Sequence, residues 1–200
     1  MRIARILLIG VVAGLNGTTG RALDIYKADP AHSSINFTIE HMVINTVHGR
    51  FGQFEGSITV DPENGNALKQ ASATIQAKSI DTGISKRDDH LRSADFFDIV
   101  NYPTITFESK EVKKEGSDQV LVGNFTMHGV TKEISLPVKL KGPINVMGGT
   151  RLGFEATTKL NRKDYGLVYN KVLETGGLMV GEEVAIQINA EFVKQAGEKK

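Results

Sequence analysis

From about residue 25 onward, apolar and polar residues alternate with a period of two along most of the chain. Ile35, Phe37 and Ile39 are spaced by Asn36 and Thr38, and Ala71, Ala73, Ile75 and Ala77 by Ser72, Thr74 and Gln76. The same rhythm runs through residues 134–140, 152–160 and 184–192. A period of two predicts strands that are dry on one face and wet on the other. Shorter strands are predicted over Val47–Phe54, Gly56–Val60, Thr104–Val112 and Gln119–Met127. Phe51 and Phe54 have opposite parity, which predicts a bulge near Gly52. Turn residues at 61–66, 114–118, 127–129 and Gly142-Pro143 separate the runs.

Eight or nine strands joined mostly as hairpins predict an all-β chain: a single antiparallel eight-stranded up-and-down barrel, whose closure leaves no exposed edge. Such an interior is just wide enough for packed side chains or one slim ligand. Strand parity turns Phe37, Ile39, Phe51, Ile75, Phe107, Phe125, Phe154, Ile186 and Ile188 inward. Alanines at 71, 73, 77, 156 and 190 share that face. Small inward residues either let the opposite wall pack close or leave a channel. The periodicity is equally consistent with a solid-core structural barrel and with a tunnel for an elongated apolar molecule. An outer-membrane barrel needs an outward apolar band with aromatic girdles, whereas this chain has four tyrosines, no tryptophan and charged outer positions. Two segments break the period. Ile84–Ser93 (ISKRDDHLRS) predicts a short helical lid, and Asn161–Gly177 a long loop before the last strand.

Composition narrows the chemistry. The 200 residues include no cysteine, which excludes disulfides, thiol catalysis, Fe–S clusters, cysteine zinc sites and an acylated-cysteine anchor. A formal charge of +1 gives no electrostatic case for nucleic acid. The N-terminus reads as an export signal: Arg2 and Arg5, an apolar run Ile6–Leu15, then Gly20-Arg21-Ala22 with small residues at the cleavage positions. Ten apolar residues fall short of the roughly 20 that span a bilayer, so no membrane-spanning segment is expected. Residues 1–22 carry three arginines and no acid, leaving a mature region, 23–200, with 21 basic and 23 acidic residues and a net charge of −2. An exported chain without cysteine fits a bacterial periplasm.

One polar cluster invites an enzymatic reading, a hydrolase or isomerase using Asp88, Asp89 and His90 beside Arg87 and Arg92. Adjacent helical residues point about 100° apart, so Asp89 and His90 are poorly placed to share one proton. Ion-paired lid residues account for the same charges, and no residue is assigned a catalytic role. Arg87, Asp88, His90, Arg92, Arg162 and Tyr165 are the candidates for a lid or for head-group contact. His32, His41, His48 and His128 lack metal-ligand spacing, and neither a metal nor a cofactor is expected. Apolar stretches at 166–169 and 178–180 suit either a homodimer face or loop packing.

Several runs carry a family resemblance. Tyr26–Phe37, Gly49-Arg50-Phe51, Phe54-Glu55-Gly56, Ser79–Gly83, Lys86–Ser93, Asp95–Asp98, Tyr102–Phe107, Gly123–Lys132 and Asn161–Gly166 together resemble the YceI-like family of exported bacterial proteins, in order and across nearly all of the mature region. The resemblance implies a lipocalin-like barrel that holds a polyisoprenoid or similar long-chain amphiphile, such as an isoprenoid quinone, prenyl carrier or fatty amphiphile, for transport, storage or stress protection. A true lipocalin would carry a tryptophan near its first strand, and this chain has none.

Overall fold

In a computed structural model, residues 22–116, 118–146, 148–172, 174 and 177–196 are described; the proposed leader up to residue 21 lies outside them. Among the described residues, eleven β segments arise from the alternating runs. They are β1 Asp24–Ala28, β2 Ser34–His41, β3 Asn45–Phe51, β4 Phe54–Asp61, β5 Ala67–Gln76, β6 Ile80–Asp81, β7 Thr104–Glu115, β8 Asp118–Met127, β9 Val130–Val146, β10 Gly149–Asn161 and β11 Val180–Lys194. Among the described residues one α-helix, α1, spans Ser85–Arg92.

Every pairing is antiparallel, and the sheet closes because β11 pairs with β2 along its first part and with β1 at its end. The segment pairs β1/β2, β3/β4 and β5/β6 therefore act as three long bent strands. Counted this way, the architecture is an eight-stranded up-and-down barrel. The first bend is the 3-10 turn Pro30–His32, where the Ser33 hydroxyl accepts from Glu191 N (3.0 Å). The second lies at Gly52-Gln53, where Gly52 N donates to Ser79 O (3.1 Å). This break lets Phe51 and Phe54 both face inward despite their parity. The third is the 3-10 turn Ala77–Ser79.

Gly142-Pro143 is not the turn its composition predicts. It lies inside β9, where the register with β10 shifts between Arg151 and Gly153, and Gly142 takes a φ of +97°. The glycine supplies the left-handed backbone of a bulge, and the strand runs on through it. Gly49 has a different role. It sits opposite Phe37, and the Phe37 ring occupies the space where a Cβ would stand.

Strand direction gives the barrel two unlike ends. Turns 62–66 and 148 and both described termini lie at one end, while the β2–β3 hairpin, α1 and the loop after β10 lie at the other. At the first end Tyr26, Val60, Leu68, Val138 and Leu152 are each no more than 2% exposed and form a plug. Outward positions carry charge, with ion pairs such as Lys159–Glu183 (2.7 Å) between the neighbouring strands β10 and β11 and Lys110–Glu133 (2.9 Å) reaching from β7 over β8 to β9. That outer face is the opposite of a lipid-facing apolar band. No helix among the described residues is long and apolar enough to cross a membrane.

Candidate ligand-binding site

Above the plug the interior is hollow. A cavity of about 480 Å³ occupies the barrel, within the roughly 300–1,000 Å³ typical of small-molecule sites. Its floor is Ile58, Leu121, Leu136 and Phe192, and its walls come from all the long strands. The solid-core alternative is thus replaced by an open interior. The nine residues that parity turns inward, Phe37, Ile39, Phe51, Ile75, Phe107, Phe125, Phe154, Ile186 and Ile188, all line this cavity. Phe37, Ile39, Ile75, Ile186 and Ile188 are only half-buried because they face the empty space and not a packed neighbour. Ala71, Ala73, Ala190 and Gly56 line it too, so small side chains leave room where larger ones would meet.

The lid begins where β6 ends. The Asp81 carboxylate accepts from Gly83 N (2.9 Å) and pairs with Arg50 (2.9 Å); these contacts hold its pKa below the ordinary carboxylate value. Asp88, the buried residue of α1, accepts from Thr82 N (2.9 Å) and Thr82 Oγ1 (2.5 Å). Arg92 reaches back to Lys78 O (2.8 Å) and Ile80 O (2.7 Å) and pairs with Asp89 (3.0 Å). These bonds pin α1 to the barrel rim. Past the helix, Phe97 packs edge-on against Phe51, which in turn leans on Phe37.

The second flank of the lid is the loop after β10. It starts with the 3-10 turn Arg162–Tyr165, capped by the Asn161 side chain accepting from Lys163 N (3.0 Å). Asn170 bonds Val180 through both backbone groups, and Met179 bridges Lys171 O to Met42 N in the β2–β3 turn. The two flanks meet in an aromatic cluster: His90, Phe96 and Tyr169 have ring centroids 5.0 Å apart in every pair. His90 Nε2 also lies 2.8 Å from Asp95.

Of the six polar candidates, Arg87, His90 and Arg162 reach the cavity wall, and Asp88, Arg92 and Tyr165 do not. Arg87 is occupied by Thr82, donating to its hydroxyl (2.7 Å) and its carbonyl (2.8 Å). Tyr165 is buried edge-on against Phe125, and that burial, with Asp164 adding to it, raises its phenol pKa. It stands behind the wall and is not part of the cavity lining. Asp89 and His90 are engaged by different partners, Arg92 and Asp95, so the proposed acid–base pair is not assembled. Phe96, Phe97, Leu91 and Tyr169, which also line the cavity, were not foreseen as site residues. The adjacent phenylalanines in an otherwise charged segment were the available signal.

Outside the cavity, Asp29, His32 and Glu191 bring ligand atoms within 4.8 Å of one another. Arg151 donates to both Asp29 and Glu191, so a guanidinium already balances these carboxylates.

A closed antiparallel cup with one plugged end and an apolar cavity under a lid defines the class of ligand-holding barrels. The chain belongs to the YceI-like family, whose domain model matches residues 26–192. A UPF0312 protein of Enterobacter sp. strain 638 is 40% identical over 193 residues, covering 94% of this chain and 97% of that one. Protein YceI of Salmonella newport is 39% identical with the same coverage. Among solved structures, Campylobacter jejuni YceI superposes with a TM-score of 0.67 at 26% identity, over 78% of this chain and 90% of that one. Burkholderia cenocepacia BcnA matches the fold at TM-score 0.69 and 22% identity, over 82% and 98%. A polyisoprenoid-binding domain from Saccharophagus degradans does so at 0.62 and 19%, over 85% and 98%.

Proposed function

We propose that this protein holds one long-chain apolar molecule, of the polyisoprenoid or similar amphiphile class, with its tail toward the plug and its polar end toward the lid. The cavity carries the reading: apolar side chains line it from floor to rim, and polar side chains such as Thr82, Arg87, His90, Arg162 and Lys171 join the lining on the lid side. Each CH₂ removed from water contributes about 0.8 kcal/mol. Sequestering ten such groups is then worth about 8 kcal/mol before ordering costs, so chain burial supplies the driving force without one hydrogen bond. A barrel whose site needs so little polar chemistry suits a carrier or store. The binding activity named for the Saccharophagus domain agrees with this reading. The export-signal pattern of residues 1–22 supports a periplasmic site of action.

The test is to purify the mature protein from cells, extract it with organic solvent and identify what is released by mass spectrometry. About one long-chain amphiphile per chain is expected. A protein that repeatedly releases none, and takes up no added prenyl or fatty chain, ends the proposal.

A further inference from the structure

The cavity wall contains a buried cation without a counter-ion. Arg162 is 3% exposed and lines the cavity. Its Nε donates to Gly181 O (2.8 Å) and its Nη1 to Leu167 O (2.5 Å), which fix the guanidinium plane between β11 and the lid loop. Nη2 is buried and has no acceptor among the described residues. No carboxylate pairs with Arg162 among the described residues. Glu182, which acts on it only at a distance, is held by Lys163 (2.5 Å). Arg151 provides the contrast, with two carboxylates on its Nη1. A guanidinium does not give up its proton, so burial leaves Arg162 charged and short of one partner. Burial depresses its pKa, with Glu182 opposing the shift. Leaving a buried charge unpaired is costly, and a fixed donor missing its acceptor is disposed to take one from a ligand.

We propose that the molecule held in the cavity ends in an oxyanion, either a carboxylate or a phosphate monoester, and that the Arg162 guanidinium receives it. The inference rests on the cavity being a ligand site. It adds to that reading the charge and position of the head group.

The experiment uses mature protein freed of endogenous lipid, with fluorescence displacement at pH 8. One series compares oleic acid, methyl oleate and oleyl alcohol; another compares geranylgeranyl phosphate with geranylgeraniol. A hydrogen bond to a charged group predicts that the oxyanion binds roughly tenfold or more tighter than its neutral analogues. The series with the larger ratio identifies which oxyanion is preferred. Arg162→Gln should collapse that ratio to near one while leaving alcohol affinity within about twofold, and Arg162→Lys should restore part of it. Methyl oleate binding as tightly as oleic acid, and geranylgeraniol as tightly as its phosphate, in the wild type overturns the inference by itself, whether or not the variants fold. An Arg162→Gln protein that loses acid and alcohol affinity equally also overturns it, since Arg162 would then only hold the loop. Failure of every chain to bind the wild type instead counts against the cavity as a lipid site.

Discussion

The two ends of the barrel are built from the same alternating strands and do opposite things. At the plugged end, Tyr26, Val60, Leu68, Val138 and Leu152 meet across the axis and exclude everything else. Toward the lid, inward positions with the same parity are held apart, because Ala71, Ala73, Ala190 and Gly56 stand among the larger residues. Beyond them the closure passes from strand side chains to two loop segments joined by three rings. Alternation decides which face is dry. Side-chain size across the axis decides whether the dry space is solid or hollow.

The largest expected effect breaks the comparison at its solid end. Leu152→Ala should cost about 2–5 kcal/mol, the range for emptying a packed site. Ile188→Ala, on the half-buried cavity wall, should cost less than half as much, since its neighbours already face open space. Urea denaturation of lipid-free protein measures both. Equal losses would mean that the hollow half is as tightly packed as the plug.

Filling the hollow should separate stability from binding. Ala73→Phe places a ring in the cavity, where it has room, so the overpacking penalty of about 1–3 kcal/mol met in dense cores should be largely absent. Uptake of an added long-chain probe should fall by about tenfold or more through lost chain burial. Fluorescence displacement and thermal melting of the same sample check the pair of expectations. A destabilised variant with unchanged uptake would place the ligand elsewhere.

Tyr169→Ala sharpens the lid half. It removes two ring contacts, with His90 and Phe96, and aromatic pairs contribute about 0.5–1.5 kcal/mol each. Release of a bound fluorescent lipid should accelerate by roughly five- to 150-fold in stopped flow, while urea stability falls by no more than the same about 1–3 kcal/mol. An unchanged release rate would show that the two flanks do not gate the cavity.

How far these ends could be read from sequence follows from the same distinction. Parity along β2 and β11 was sufficient to turn Phe37, Ile39, Ile186 and Ile188 inward, because facing is a local property of a strand. Gly142-Pro143 misled because a bulge and a turn use the same residues; only the pairing of β9 with β10 tells them apart. The hollow itself was illegible, since an alanine at 73 shows nothing about what stands across the barrel from it. Loop residues were hardest. Arg162 and Tyr165 are three apart in one 3-10 turn, yet one lines the cavity and the other stands behind its wall. That outcome depends on contacts with Gly181, Leu167 and Phe125, made by segments remote in sequence or in the following turn.

The smallest effect concerns the outer seam that holds β1 and β2 to β11, away from both plug and lid. His32 Nδ1 lies 2.9 Å from Asp29, whose carboxylate also accepts from Arg151 and Ala31 N. The Asp29 bond, then the Asp29 and Glu191 charges, raise the His32 pKa; bonds from His32, Arg151 and Ala31 lower that of Asp29. A raised imidazole pKa stabilises the fold fully below the unfolded value, about 6.5, and that contribution fades as pH rises through the folded value. A lowered carboxyl pKa stabilises above the unfolded value, about 3.9, and its contribution is lost as pH falls through the folded value. The seam pair is therefore strongest between about pH 4 and 6.5. Proton NMR should show the His32 midpoint above 6.5 and falling back toward it in Asp29→Asn. Because His32 is well exposed, the accompanying change in stability should be small and should shrink further with added salt. An Asp29→Asn protein whose lipid uptake changes along with that midpoint would tie the seam to the cavity, whereas unchanged uptake keeps the working half of the barrel confined to its lid and hollow.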